Sequence, residues 1–305
     1  MGNPSATTGK VVSNSTYFTD NLRYNLTGLT ASSAIAAAAT PTTYLGVTNL
    51  TDAGAARQPA TLAANQRVID ASDQRIGSNV YESQGKIFSV QTIDGGDLSR
   101  AANFARVRIT VINATTNAIL SETDLGTGAF DYFQGSLAVN AAGRLVIGYN
   151  RSGATAVDLN SDGLADGNVS FMAQSFWVDS AGALHAVSGE MLLKAGLTSG
   201  YHNGAIFGQA AVGRQRWGDY SQVTIDPNDA NRFWAIGEFA REYNNAAGGH
   251  PGGTGGSRWG TCVAEIQVAV PEPSTYAMML AGFGAVGALG ARRRRNSGNA
   301  AKQNA

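Results

Sequence analysis

The chain has 305 residues, 43% of them apolar, 14% charged and 38 of them glycine. Such a composition excludes wholesale disorder and disfavours long charged helices, leaving a turn-rich and strand-rich fold of one large or two ordinary domains. Formal net charge is zero, but residues 274–305 carry five bases and no acid, which leaves 17 bases against 22 acids, a net of −5, in the body. A nucleic-acid binder would show a basic face, so no nucleic-acid partner is expected.

Residues 1–66 are rich in Thr, Ala and Asn and weak in periodicity, which predicts an irregular segment with one short strand at Tyr44–Leu50. The opening "MGNPSATTGKVVSNSTYF" has no basic region followed by an apolar one, so it does not read as a secretory signal. The expectation is a chain that starts part-way into a longer protein.

From residue 67 the pattern sharpens. Three segments align without gaps: "YESQGKIFSVQT" (81–92), "VNAAGRLVIGYN" (139–150) and "VDSAGALHAVSG" (178–189). Each places a Gly before an alternating run, as a tight hairpin requires when its turn needs φ > 0. A longer-loop variant is "IDPNDANRFWAIGE" (225–238), with Pro227 in the turn and Phe233–Ile236 returning. "ARVRITVINATTNAILSETDL" (105–125) reads as strand, turn and strand, with the turn at Asn113–Asn117. A unit recurring every 40 to 60 residues predicts propeller blades, about four to five of them over residues 67–268 and incomplete at the N-terminus. A β-sandwich of similar strand count is the alternative.

Several constellations carry possible chemistry. In "DLNSDGLADG" (158–167), Asp158, Asn160 and Asp162 stand at positions 1, 3 and 5, the Leu164 carbonyl at 7 and Asp166 at 9. This is the oxygen-ligand spacing of a calcium loop, without the closing Glu, and it predicts a structural calcium. The alternative is an Asx-type turn. "RQRWGDYSQ" gathers Arg216, Trp217, Asp219 and Tyr220, either a ligand-binding platform or a packing device. Trp177, Trp234 and Trp259 are expected between blades. Cys262 cannot form an intramolecular disulfide and is expected as a small buried strand residue. His185, His202 and His250 lack metal-ligand spacing, and the Gly-rich run 244–260 lacks a phosphate-loop pattern. No catalytic residue is assigned. If an activity exists, its carboxylates would come from Asp131, Asp219, Glu238 and Glu242.

The body segments "RQRWGDYSQVTIDPNDANRFWAIGEFA" and "RWGTCVAEIQV" resemble a group of secreted bacterial β-propeller proteins over roughly residues 67–268. The resemblance implies a fold and no particular activity. The Asp-box turns of sialidases do not occur.

At the C-terminal end, Pro271-Glu272-Pro273 and Ser274-Thr275 lead into the uncharged run 276–291 and then Arg292, Arg293, Arg294 and Arg295. As a helix, sixteen residues span about 24 Å, a little short of the ~30 Å apolar core of a bilayer. The flanking arginines can make up the difference and place the tail, 296–305, in the cytoplasm as a disordered end. The order of these parts resembles the PEP-CTERM sorting signal of Gram-negative bacteria, over residues 269–295. That resemblance implies export, a transient membrane anchor, processing by an exosortase, and association with extracellular polysaccharide or biofilm. The expected function is a non-enzymatic binding or structural propeller at the cell surface or in the extracellular matrix. A propeller glycosidase or lyase acting on extracellular glycans is the alternative.

Overall fold

The computed structural model describes residues 8–14, 20–27, 43–47, 53, 55–59, 68–71, 74–95, 105–126, 129–198, 217–218, 221–252 and 257–268. The chain divides into two units, Met1–Val268 and Ala269–Ala305, and every described residue belongs to the first. All regular elements among the described residues are strands, and all their pairings are antiparallel. No helix there is long and apolar enough to cross a membrane; the expected membrane helix 276–291 lies outside the described residues.

Strands β1 (Thr8–Asn14), β2 (Asn21–Thr27) and β3 (Thr43–Tyr44) form the first sheet; β4 (Ala55–Ala56) pairs with β5 (Ile69–Asp70). The next four, β6 (Tyr81–Ser83), β7 (Lys86–Asp94), β8 (Ala105–Asn113) and β9 (Ile119–Leu125), make a meander in chain order. A second meander runs through β10 (Phe130–Val139), β11 (Arg144–Gly153), β12 (Ser170–Val178) and β13 (Leu184–Ala186), with β14 (Met191–Lys194) also on β12. The last is β15 (Gln222–Ile225), β16 (Arg232–Tyr243) and β17 (Ser257–Gln267). None of these sheets closes on itself among the described residues.

The sheets pack in sequence. Val12, Leu45 and Val47 from the first meet Ile87, Ile93 and Ile112 of the β6–β9 sheet. The other face of that sheet, with Phe88, Val90 and Ile109, meets Leu145, Ile147 and Tyr149 of β11. Val146 of the same strand points the opposite way, into a core with Phe171, Val223, Phe233 and Ile266. Successive side chains of a strand face opposite sides, so "LVIGY" is apolar throughout because both of its faces are covered. β11 sits in the middle of the stack.

The turns explain the repeat. In Asn140–Arg144 the Asn140 N–H donates to the Arg144 carbonyl and Gly143 N–H to the Asn140 carbonyl; in Asp179–Ala183 the same two bonds recur. Asn140 Oδ1 accepts from Arg144 N at 2.8 Å, and Asp179 Oδ1 from Ala183 N at 2.9 Å. Gly143 and Gly182 take φ of +74° and +96°, where a side chain is strained. The first repeat is instead a two-residue turn at Gln84-Gly85, with both φ positive. The turns at 113–117 and in 225–238 fall where the sequence predicts them.

Four expectations need correction. The second and third repeats do not belong to successive blades: they are the β10–β11 and β12–β13 hairpins of one sheet. A local turn signature reports hairpins, of which one meander holds more than one. Residues 1–66 include two seven-residue strands, β1 and β2. Their polar composition hides them because propensity yields to packing on a neighbouring sheet. Trp177 and Trp259 are 40% and 59% exposed, so neither is core. Cys262, on β17, is half-buried.

Candidate functional site

A cleft of about 580 Å³ opens where residues 76–79 meet the β15–β17 sheet. Ser78, Asn79, Ser221, Gln222, Glu238 and Thr261 supply its polar lining, and Ile236 is its exposed apolar wall. Glu238 and Thr261 are cross-strand partners in the β16–β17 register, as are Ile236 and Val263. Pleating therefore places these four on one face of the sheet. Part of the lining is already engaged: Ser221 Oγ donates to the Gln134 carbonyl at 2.6 Å, and Gln222 Nε2 to the Val223 carbonyl at 2.7 Å.

Glu238 is held from behind. Its backbone carbonyl accepts from Asn150 Nδ2 at 2.7 Å, and Asn150 Oδ1 accepts from Trp217 Nε1 at 3.1 Å. Asn150 is 3% exposed, so its amide is fully enlisted in joining β11, β16 and Trp217. Gly218 lies so close to Glu238 that a Cβ there would sit 2.0 Å from Oε2. The glycine after Trp217 is thus a packing requirement. Trp217, 5% exposed, packs with Ala56, Ile69, Phe133 and Ala240. Its indole faces protein, which agrees with the packing alternative for this residue. Arg216, Asp219 and Tyr220 lie outside the described residues.

Two other candidate carboxylates serve structure. Asp131 is fully buried and accepts from the Arg57 backbone N–H (2.7 Å), Nε (2.8 Å) and Nη2 (3.1 Å). Glu242 meets His250 Nε2 (3.0 Å), Arg241 Nη2 (3.0 Å) and Arg258 Nη1 (2.7 Å) at the mouth of the β16–β17 loop. The His250 hydrogen bond, then its own backbone N–H and the two guanidinium charges, hold its carboxyl down at about 2. His185 stacks on Trp177 with ring centroids 4.3 Å apart and reaches Asp179 at 3.0 Å. That contact and the turn N–H of Ala183 hold the Asp179 carboxyl below its usual range.

The loop 158–167 is a knot of Asx turns. Asp158 Oδ2 accepts from Gly163 N (2.8 Å), Asn160 Oδ1 from Asp162 N (3.0 Å) and Asp162 Oδ1 from Leu164 N (2.9 Å). Asp166 accepts from Leu159 N and lies 3.6 Å from the Arg151 guanidinium. Among the described residues no three His, Cys, Asp or Glu side chains gather to hold a metal ion. In this arrangement the loop oxygens bind backbone N–H groups, and Arg151 brings the positive charge.

Sequence reasoning named Glu238 only as one of four carboxylates and missed its neighbours in the cleft. The available signal was in β17: Trp259, Thr261, Val263 and Glu265 alternate with Gly260, Cys262 and Ala264. The larger groups take the more exposed side of the strand, which marks a face left open among the described residues.

Residues 269–295 match the family model of the PEP-CTERM protein-sorting motif. Neither curated proteins nor solved structures hold a match to the chain. The class is thus an exported, all-β protein. More particularly, the motif marks the chain for sorting by an exosortase, through a membrane-anchored intermediate, to the cell surface or extracellular space. The motif residues Pro271, Glu272, Pro273 and Arg292–Arg295 lie outside the described residues.

Proposed function

We propose that the body is a β-propeller-like stack that binds extracellular polysaccharide at the cell surface or in a biofilm matrix, without turning it over. The observation that carries this reading is the sorting motif at 269–295, which delivers the body to where such polymers lie. The sequential packing of meanders supports the propeller: strand β10 packs on β6, β7 and β8 of the preceding sheet and on β15 of the next, as neighbouring blades lie face to face. Residues 276–291 then serve as the transient membrane helix and 296–305 as its cytoplasmic tail.

A glycosidase would need two carboxylates at a set separation, so turnover separates the binding reading from the hydrolytic one. Incubating the protein with a glycan panel, with reducing ends measured, tests this. Retention without new reducing ends is expected; turnover abolished by Asp219→Asn or Glu238→Gln would overturn it.

Structural calcium in loop 158–167 is a separate proposal, supported by the Asp-x-Asn-x-Asp-Gly spacing. Binding would have to draw the carboxylates inward and away from their N–H partners. Calorimetry with calcium should show heat that Asp158→Ala removes, and no heat from the unaltered protein would rule it out.

A further inference from the structure

Four arginines of the body each meet one or two acids. Arg57 meets Asp131, Arg108 meets Asp124 and Glu122, Arg151 meets Asp166 and Glu190, and Arg232 meets Asp229 and Glu265. At the mouth of the β16–β17 loop the ratio is reversed. Glu242 Oε1 alone takes Arg241 Nη2 (3.0 Å), His250 Nε2 (3.0 Å) and Arg258 Nη1 (2.7 Å). A carboxylate oxygen offers about two lone pairs, so three donors exceed what it can accept. Arg258 Nη1 also contacts His250 Nε2.

The gathering is built into the fold. Strand β16, the loop and strand β17 each contribute to it. Gly260 leaves room for the Arg241 stem, since a Cβ there would lie 2.7 Å from Arg241 Cδ. The loop backbone fixes His250, whose N–H donates to the Asn245 carbonyl at 2.7 Å. Both guanidiniums stay charged at every working pH. This corner therefore carries excess positive charge, in a body of net −5. Arg241 Nη1 and the Nε and Nη2 of Arg258 have no acceptor among the described residues. The side chains of Arg241, Arg258 and His250 are 40%, 38% and 32% exposed, so an ion in solution can reach them.

We infer that this corner binds a tetrahedral oxyanion, a sulfate or phosphate group, between Arg241 and Arg258. The inference is independent of the polysaccharide reading. A planar carboxylate is matched by one guanidinium fork, as Glu242 is by Nε and Nη2 of Arg241. An anion held by two guanidiniums at once needs oxygens on more than one side, which a tetrahedral group has. Glu242 holds the cations together, and the ligand offsets the charge that Glu242 leaves over.

The test is a nuclear magnetic resonance titration of the full chain in detergent, carrying isotope-labelled arginine. Sodium sulfate is the probe, with phosphate, acetate and chloride compared at matched ionic strength. The Nε signals of Arg241 and Arg258 should shift saturably with sulfate and phosphate, and acetate should bind at least about tenfold more weakly. Arg258→Gln should weaken sulfate binding by about tenfold or more, the loss expected for a charge-assisted hydrogen bond. Glu242→Gln should tighten it, because a like charge beside the ligand is removed. Arg232→Gln, at the far end of the same strand pair and already matched by two acids, should leave it unchanged. Arg258, Glu242 and Arg232 all reach solvent, so none of these changes touches the core. Shifts that chloride reproduces would overturn the site. Sulfate binding indifferent to Arg258→Gln, or weakened by Glu242→Gln, would overturn its placement. Acetate binding as tight as sulfate would overturn the ligand class.

Discussion

The β10–β14 sheet and the β15–β17 sheet are built alike but end differently. In the first, alternate residues of β11 enter two cores, Leu145, Ile147 and Tyr149 on one side and Val146 on the other. In the second, β16 buries Phe233 and Ala235 and leaves Ile236 to solvent. Strand β11, covered on both sides, gives both of its faces to packing, whereas Trp177 and Leu192 of the same sheet are 40% and 41% exposed. Among the described residues the last sheet keeps one face that combines apolar and hydrogen-bonding groups. Position in the stack, more than strand sequence, decides which strand is buried on both faces.

The comparison sharpens most at Asp131, at the start of the β10–β14 sheet. Asp131→Ala strands the Arg57 guanidinium, 20% exposed, and three donors. A loss of roughly 3–5 kcal/mol is expected, seen as a lower denaturant midpoint, because breaking a buried ion pair leaves an uncompensated charge. A near-neutral effect would mean that this sheet is less tightly bound into the stack than its burial implies.

A smaller effect is expected at the open sheet, where the β16–β17 loop is fastened by Glu242. The folded carboxyl titrates near 2, against an ordinary value of 4.5. A depressed folded value stabilises fully above the unfolded one, and that stabilisation is lost as pH falls from 4.5 toward about 2. The group is partly exposed, so salt screens it and the loss is local. Hydrogen exchange of amides 244–252 should quicken over that range, and Glu242→Gln should remove the pH dependence.

Much of this architecture was legible in the residues. Gly143 and Gly182 mark their hairpins because a turn with φ > 0 needs glycine, and the alternation after each marks a strand. The sheet to which a hairpin belongs was not legible, since Gly143 and Gly182 share one. Strands β1 and β2 were hidden because their neighbours, and not their own composition, hold them. The sorting motif was fully legible, being a linear signal read in order. The cleft was not, because Asn79, Gln222, Glu238 and Thr261 come together only through pairing and packing. Trp217 and Trp259 show the same limit: each follows an Arg and precedes a Gly, yet one is core and the other surface.

The central claim, that β11 lies at the centre of the packing while the last sheet is less deeply held, is tested most directly by native-state hydrogen exchange. Amides of β11 are expected to exchange most slowly and those of β17 faster. Equal protection of the two strands, or slower exchange in β17, would contradict the account.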